Sequence, residues 1–175
     1  MTRISLLLLV LLSLATSAMA ASPSRIGVVD LQRAVSESTE GIEAKSSLLR
    51  KTEQLNADLK VLLADFEKMR AEAEKDAAGL SVDERSEREK VLQKKSRDFQ
   101  SRQREAQEDL KQIEAEYLRK ITARLGTVMS KVGEEENYTA ILDRSTGLYY
   151  FSREADITSL IVKRANEEYS RSLKK

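Results

Sequence analysis

The sequence predicts a predominantly α-helical α+β fold, a small β-sheet body from which one long antiparallel coiled-coil hairpin protrudes. Three observations carry this reading. From Ile42 to Ala78 neither proline nor glycine intervenes, and a second long helical stretch follows a single break near Gly79. Short β-branched and aromatic runs are confined to the segments on either side of that pair. Composition agrees: 34% of residues are charged and 5% aromatic, with one proline and six glycines, as in long-helix proteins.

The chain of 175 residues opens on an address. Arg3, the apolar run Ile4 to Ala15 and the small-x-small triplet Ala18-Met19-Ala20 form a secretory signal, residues 1–20, with the mature chain starting at Ala21. Removing Arg3 from the 30 basic residues leaves 29 against 29 acidic ones, a neutral balance that argues against a nucleic-acid partner. The chain has no His and no Cys. Its absence of imidazole and thiol removes the usual neutral-pH base, the commonest zinc ligands, the thiolate nucleophile and any disulfide framework. No catalytic residue, metal ligand or cofactor site is expected.

The elements follow in order. Arg25 to Val29 reads as a strand, and Asp30 caps a short helix through about Ser36. Ser38 or Thr39 then caps the outgoing arm helix. Along it Leu48, Leu55, Leu59, Leu62, Phe66, Met69 and Ala73 fall on one stripe at heptad spacing, with Leu49 and Leu63 beside it. Gly79 suits a left-handed helix end, and Ser81 with Glu84 makes a capping box for the returning helix. On that helix Leu92, Ser96, Phe99, Gln103, Ala106, Leu110, Ile113 and Tyr117 form the answering stripe. The pattern then shifts to Leu118, Ile121, Leu125, Val128 and Val132, and Gly126 among them suggests a close helix contact. After Gly133, Tyr138–Leu142 and Leu148–Phe151 read as strands of one hairpin turned by residues 143–147. Asp156 or Thr158 caps a last amphipathic helix through about Ser170.

The chain therefore divides into the signal at 1–20, a body from 21–40 and 134–175, and an arm at 41–133 with its tip near 78–83. Ile26, Val28, Leu125, Val128, Val132, Ile141, Leu142, Tyr149 and Tyr150 are the expected core of the body and of its subunit contacts. A body of about 60 residues with open strand edges is marginal alone. Pairing those edges between chains predicts a closed oligomer.

On the arm, residues 85–104 hold eight basic residues against Glu87, Glu89 and Asp98, which makes the distal arm positive. Lys94, Lys95, Arg97, Arg102 and Arg104 in this run, and Leu49, Leu63 and Val91 beside the seam, are the candidate contacts for a held client or for anionic lipid.

Ile26-Gly27-Val28-Val29-Asp30-Leu31-Gln32-Arg33 near the mature start resembles the Skp/OmpH family of periplasmic chaperones. So do Tyr138 to Asp143, Leu148-Tyr149-Tyr150 and Asp156-Ile157-Thr158 near the end. The resemblance implies a homotrimer whose strands form a central barrel and whose hairpins enclose a cavity. It also implies a function: holding unfolded outer-membrane β-barrel proteins in transit without ATP, and no enzymatic activity. Family members are commonly basic overall whereas the mature chain is neutral, so contact with anionic lipid or lipopolysaccharide would rest on residues 85–104. The competing expectation is a structural coiled-coil protein of the envelope that spaces or tethers other assemblies.

Overall fold

The computed structural model describes residues 24–174, and the signal segment lies outside them. Strand β1 (Ile26–Val29) leads into helix α1 (Leu31–Glu37), and the arm follows as α2 (Thr39–Asp76), a 3-10 turn (Ala77–Gly79) and α3 (Val82–Glu135). Strand β2 (Ala140–Asp143), a second 3-10 turn (Arg153–Ala155) and helix α4 (Thr158–Ser172) complete the body.

Strands β1 and β2 pair in parallel, from Ile26 opposite Ala140 to Val29 opposite Asp143. Parallel neighbours cannot be joined by a tight turn. The whole arm is thus the crossover between two adjacent strands. On the other edge of β1, Val28 bridges to Asp156, and the Ile157 N–H donates to the Val28 carbonyl at 2.9 Å. Helix α4 is thereby docked at its first turn, where the Thr158 hydroxyl accepts from the Asp30 N–H at 3.0 Å.

This arrangement corrects the expected sheet. The turn at 143–147 does form, with the Thr146 N–H donating to the Asp143 carbonyl and Gly147 at φ 86°. Residues 148–151 do not return as a strand, however, and β2 pairs instead with β1, across the whole arm. Tyr149 and Tyr150 stand 105% and 85% exposed, so within the chain they are not core. Ile26 and Leu142 are exposed as well, Ile141 is half-buried, and Val28, Leu125, Val128 and Val132 are buried.

The core lies between the α3 stripe Ile121, Leu125, Val128 and Val132 and a stripe formed by Ile157, the residue before α4, with Ile161 and Ala165 on that helix, closed by Val29 and Ala34. Spacings of three and four residues put each set on one helix face. Asp30 caps α1 by accepting from the Arg33 N–H at 2.9 Å, and Ser38 does the same for Gly41 at 3.1 Å. Helix α3 ends in a Schellman motif at Asn137, φ 56°, with the Tyr138 N–H donating to the Gly133 carbonyl at 2.9 Å. Gly79 takes no left-handed conformation: the tip is a 3-10 turn followed by extended Leu80, so any residue fits its backbone. Nothing lies within 4 Å of where a Cβ on Gly126 would sit, so within the chain that glycine marks no close contact.

Candidate functional site

The arm carries the candidate site. At 1.5 Å per residue its 38-residue and 54-residue helices run about 57 Å and about 80 Å, so α3 overruns α2 and supplies the body's core stripe. Ion pairs fix the antiparallel register at both ends, Asp76 with Arg88 at 3.0 Å near the tip and Glu40 with Arg124 at 2.6 Å at the root. At the root the Tyr169 hydroxyl of α4 also donates to Glu43 at 2.7 Å, and the Arg124 guanidinium lies over its ring at 5.3 Å. The Glu43 carboxylate raises the Tyr169 hydroxyl above its ordinary pKa. Burial adds to the rise. The root is clamped on three helices.

Above it the packing thins. Leu55 and Ala106 are buried, but Leu59, Phe66, Met69 and Ala73 of α2 and Leu92, Ser96, Phe99, Leu110 and Ile113 of α3 stay half-buried. Leu62, expected in the seam, is 39% exposed and Gln103 is exposed. Two helices alone cannot cover an apolar stripe on both sides. Shallow grooves therefore run along the hairpin. Near the tip one groove of about 520 Å³ is lined by Phe66, Arg70, Ala73, Leu80, Leu92 and Gln93. The opposite groove is lined by Met69, Glu72, Asp76 and Val91.

The tip itself is closed as its residues predict. The Ser81 hydroxyl accepts from the Glu84 N–H while Glu84 accepts from the Ser81 N–H at 2.9 Å. The Ser81 hydroxyl, donating to the Glu84 carboxylate at 2.6 Å, and the Ser81 N–H hold that carboxyl below its ordinary pKa.

The structure separates the candidate contacts. Leu49 and Leu63 stand exposed on α2, at 60% and 38%, whereas Val91 belongs to the opposite groove. Lys94, Lys95, Arg97, Arg102 and Arg104 are all exposed. Arg102 pairs with Glu105 at 3.2 Å, and among the described residues the other four have no carboxylate within 4.0 Å. Counting both helices tempers the positive charge of the distal arm without removing it: level with this run α2 carries Glu67, Glu72, Glu74 and Asp76, of which Asp76 pairs with Arg88. Over residues 67–104 there are eleven basic residues against nine acidic ones, so the excess is local to α3.

This architecture, two short parallel strands whose crossover is a helical hairpin, has known counterparts. Residues 25–164 match the family described as outer membrane protein (OmpH-like). The chain belongs to that family. The OmpH-like match takes in β1, the whole arm, β2 and the first half of α4. The chaperone protein Skp of Blochmanniella pennsylvanica is 24% identical over 139 residues, which is 79% of this chain and 84% of that protein. An OmpH-like outer membrane chaperone from Caulobacter crescentus superposes with a TM-score of 0.79 at 18% identity, covering 87% of this chain and 90% of that one. That likeness extends the OmpH-like fold to the arm and body together.

Sequence reasoning missed Val61, 62% exposed beside Leu62 and Leu63. Three consecutive apolar residues cannot all face one partner helix, and that was the available signal. It also missed the root clamp, whose partners Glu40, Glu43, Arg124 and Tyr169 lie far apart in the chain.

Proposed function

We propose that this protein is a periplasmic holdase: it keeps unfolded outer-membrane proteins from aggregating by enclosing them between helical arms, without ATP and without catalysis. The observation that carries the reading is the arm. Its apolar stripe stays half accessible along most of its length, and apolar side chains flank it in water. An unfolded membrane β-barrel exposes alternating apolar strands that pair and aggregate in water. Many weak apolar contacts spread over two long helices suit such a client better than a single deep pocket. The loose seam counts against a rigid spacer.

The assembly is a homotrimer whose body closes as a barrel. Supporting this, among the described residues β2 has no partner on its other edge, residues 148–152 run without regular structure, and Ile26, Leu142, Tyr149 and Tyr150 stand in water. A second copy would satisfy both the edge and the apolar side chains. The unpaired Lys94, Lys95, Arg97 and Arg104 support a secondary, salt-sensitive attraction to anionic headgroups.

The test dilutes a urea-unfolded outer-membrane β-barrel protein into buffer with and without the mature protein, following light scattering and the mass of the complex. Suppressed scattering without nucleotide, at one assembly per client, is expected. Unchanged scattering with a properly assembled oligomer would sink the holdase reading.

A further inference from the structure

A ring of three identical chains cannot be closed by a self-complementary patch. Such patches pair copies two by two, whereas a three-fold ring needs two unlike surfaces on each chain, one fitting the other on the next copy. The body offers such a pair. One member is a groove of about 700 Å³ at the carboxyl ends of β1 and β2, between α1, α3 and the turn at 143–147. Leu31, Val35 and Leu118 make its apolar wall, Asp30, Asp143 and Arg144 are its charged members, and the rest of its lining is uncharged. Leu31 and Val35 pack against the core, but Leu118 lies outside that cluster and stands 46% exposed. The other member is Tyr149. Only a few residues beyond Ser145 of the groove lining, it is 105% exposed, so its own chain covers none of it.

We infer that Tyr149 of one copy enters the α1–α3 groove of the next, and that this contact, repeated head to tail, closes the assembly. The inference deepens the homotrimer proposed above and rests on it. Tyrosine suits the groove at both of its ends. Its aromatic ring brings about 200 Å² of surface to a wall of two leucines and a valine. Its hydroxyl stays at the charged rim, where a carboxylate has room for one more donor. Each carboxylate has about four lone-pair sites, and within the chain two donors reach Asp30 and three reach Asp143. The exposed Arg144 guanidinium, already over the Phe151 ring at 5.9 Å, has its other face for the incoming phenol. A standard interface covers about 800 Å² per partner, so Tyr149 supplies about a quarter and is the anchor around which the rest of the contact forms.

The chain has no cysteine, so Tyr150→Cys beside the anchor and Gln32→Cys on the groove lining leave both surfaces intact. The two variants, one carrying a size tag, are mixed in urea, refolded together and treated with a short bis-maleimide. Most of the two-chain product is expected to join one of each kind, with several-fold less from either variant alone. Leu118→Asp, at an exposed position outside the core, is expected to keep its helical circular dichroism while its sedimenting mass falls toward that of the single chain. Mixed with Tyr149→Asp it regains one good contact per pair, so complexes of two chains are expected and complexes of three are not. Same-kind links as abundant as mixed ones, or an unchanged mass for Leu118→Asp, overturns the inference while the unmodified protein still sediments as three chains. An unmodified protein of any other mass overturns the homotrimer and this inference with it.

Discussion

At the scale of the residue, two positions show how little room the body leaves. Gly41 is buried in the first turn of α2, and a Cβ there would sit 1.8 Å from the Val35 carbonyl oxygen and 3.0 Å from the Ser38 hydroxyl. That oxygen is backbone at the end of α1, so the two helices would have to part. Gly41→Ala is expected to destabilise the protein by about 3 kcal/mol, the upper range for overpacking, read as a lowered urea midpoint. Asp156 sets a second limit. Burial pushes its carboxyl up, but the hydroxyl and N–H of Thr158, with the Arg33 guanidinium, outweigh it and hold the group below its ordinary value of 3.8. A carboxylate depressed on folding adds stability that is present above its unfolded pKa and is lost as pH falls through the folded one. The urea midpoint is therefore expected to drop below about pH 4, and Asp156→Asn to flatten that drop while lowering the plateau above it. A variant whose acid limb matches the parent would remove Asp156 from the account.

Among the elements, those governed by local rules were the legible ones. The heptad stripes, the Asp30 cap and the Ser81–Glu84 box are each written within a few residues, so periodicity and capping chemistry located the helices. The sheet was not legible in this way. A parallel ladder between residues 26–29 and 140–143 joins segments separated by the entire arm, and no local pattern distinguishes it from the hairpin that the 143–147 turn suggests. Asn137 in place of glycine at the end of α3 likewise hid the Schellman motif. The candidate site was half legible: the apolar residues beside the seam could be named, but the acidic residues that α2 lays against the basic run appear only once the helices are paired. Burial along the seam makes its own prediction. Leu55 is 4% exposed and Leu62 39%. Leu55→Ala is expected to lower the protection of mid-arm amides against hydrogen exchange by about 2 kcal/mol and Leu62→Ala by less than about 1 kcal/mol, since truncation costs scale with the cavity left. Equal losses would mean that a second copy covers Leu62.

For the whole molecule the unresolved balance is between a body that is too small and an arm that is too long. The core gathers a few side chains from α3, α4, β1 and α1, yet it must anchor helices of about 57 Å and about 80 Å. The clamp of Glu40, Glu43, Arg124 and Tyr169 ties the root, but exposed or partly exposed ion pairs add only about 1 kcal/mol each. The remaining stability has to come from surfaces the single chain leaves open, and the most exposed large side chains among them are the aromatic pair Tyr149–Tyr150. Both side chains project into water, so replacing them removes no contact within the chain. Tyr149→Asp with Tyr150→Asp is thus expected to leave the helical circular dichroism of a dilute sample intact while shifting its sedimenting mass from the oligomer to the single chain, with a lower thermal midpoint. Subunit burial of that pair predicts the loss of mass and the loss of stability together, because oligomerisation contributes to folding stability by mass action. If the variant kept the parent's mass, the aromatic pair would lie outside the contact, and the exposed Ile26 and Leu142 on β1 and β2 would be left to close the body.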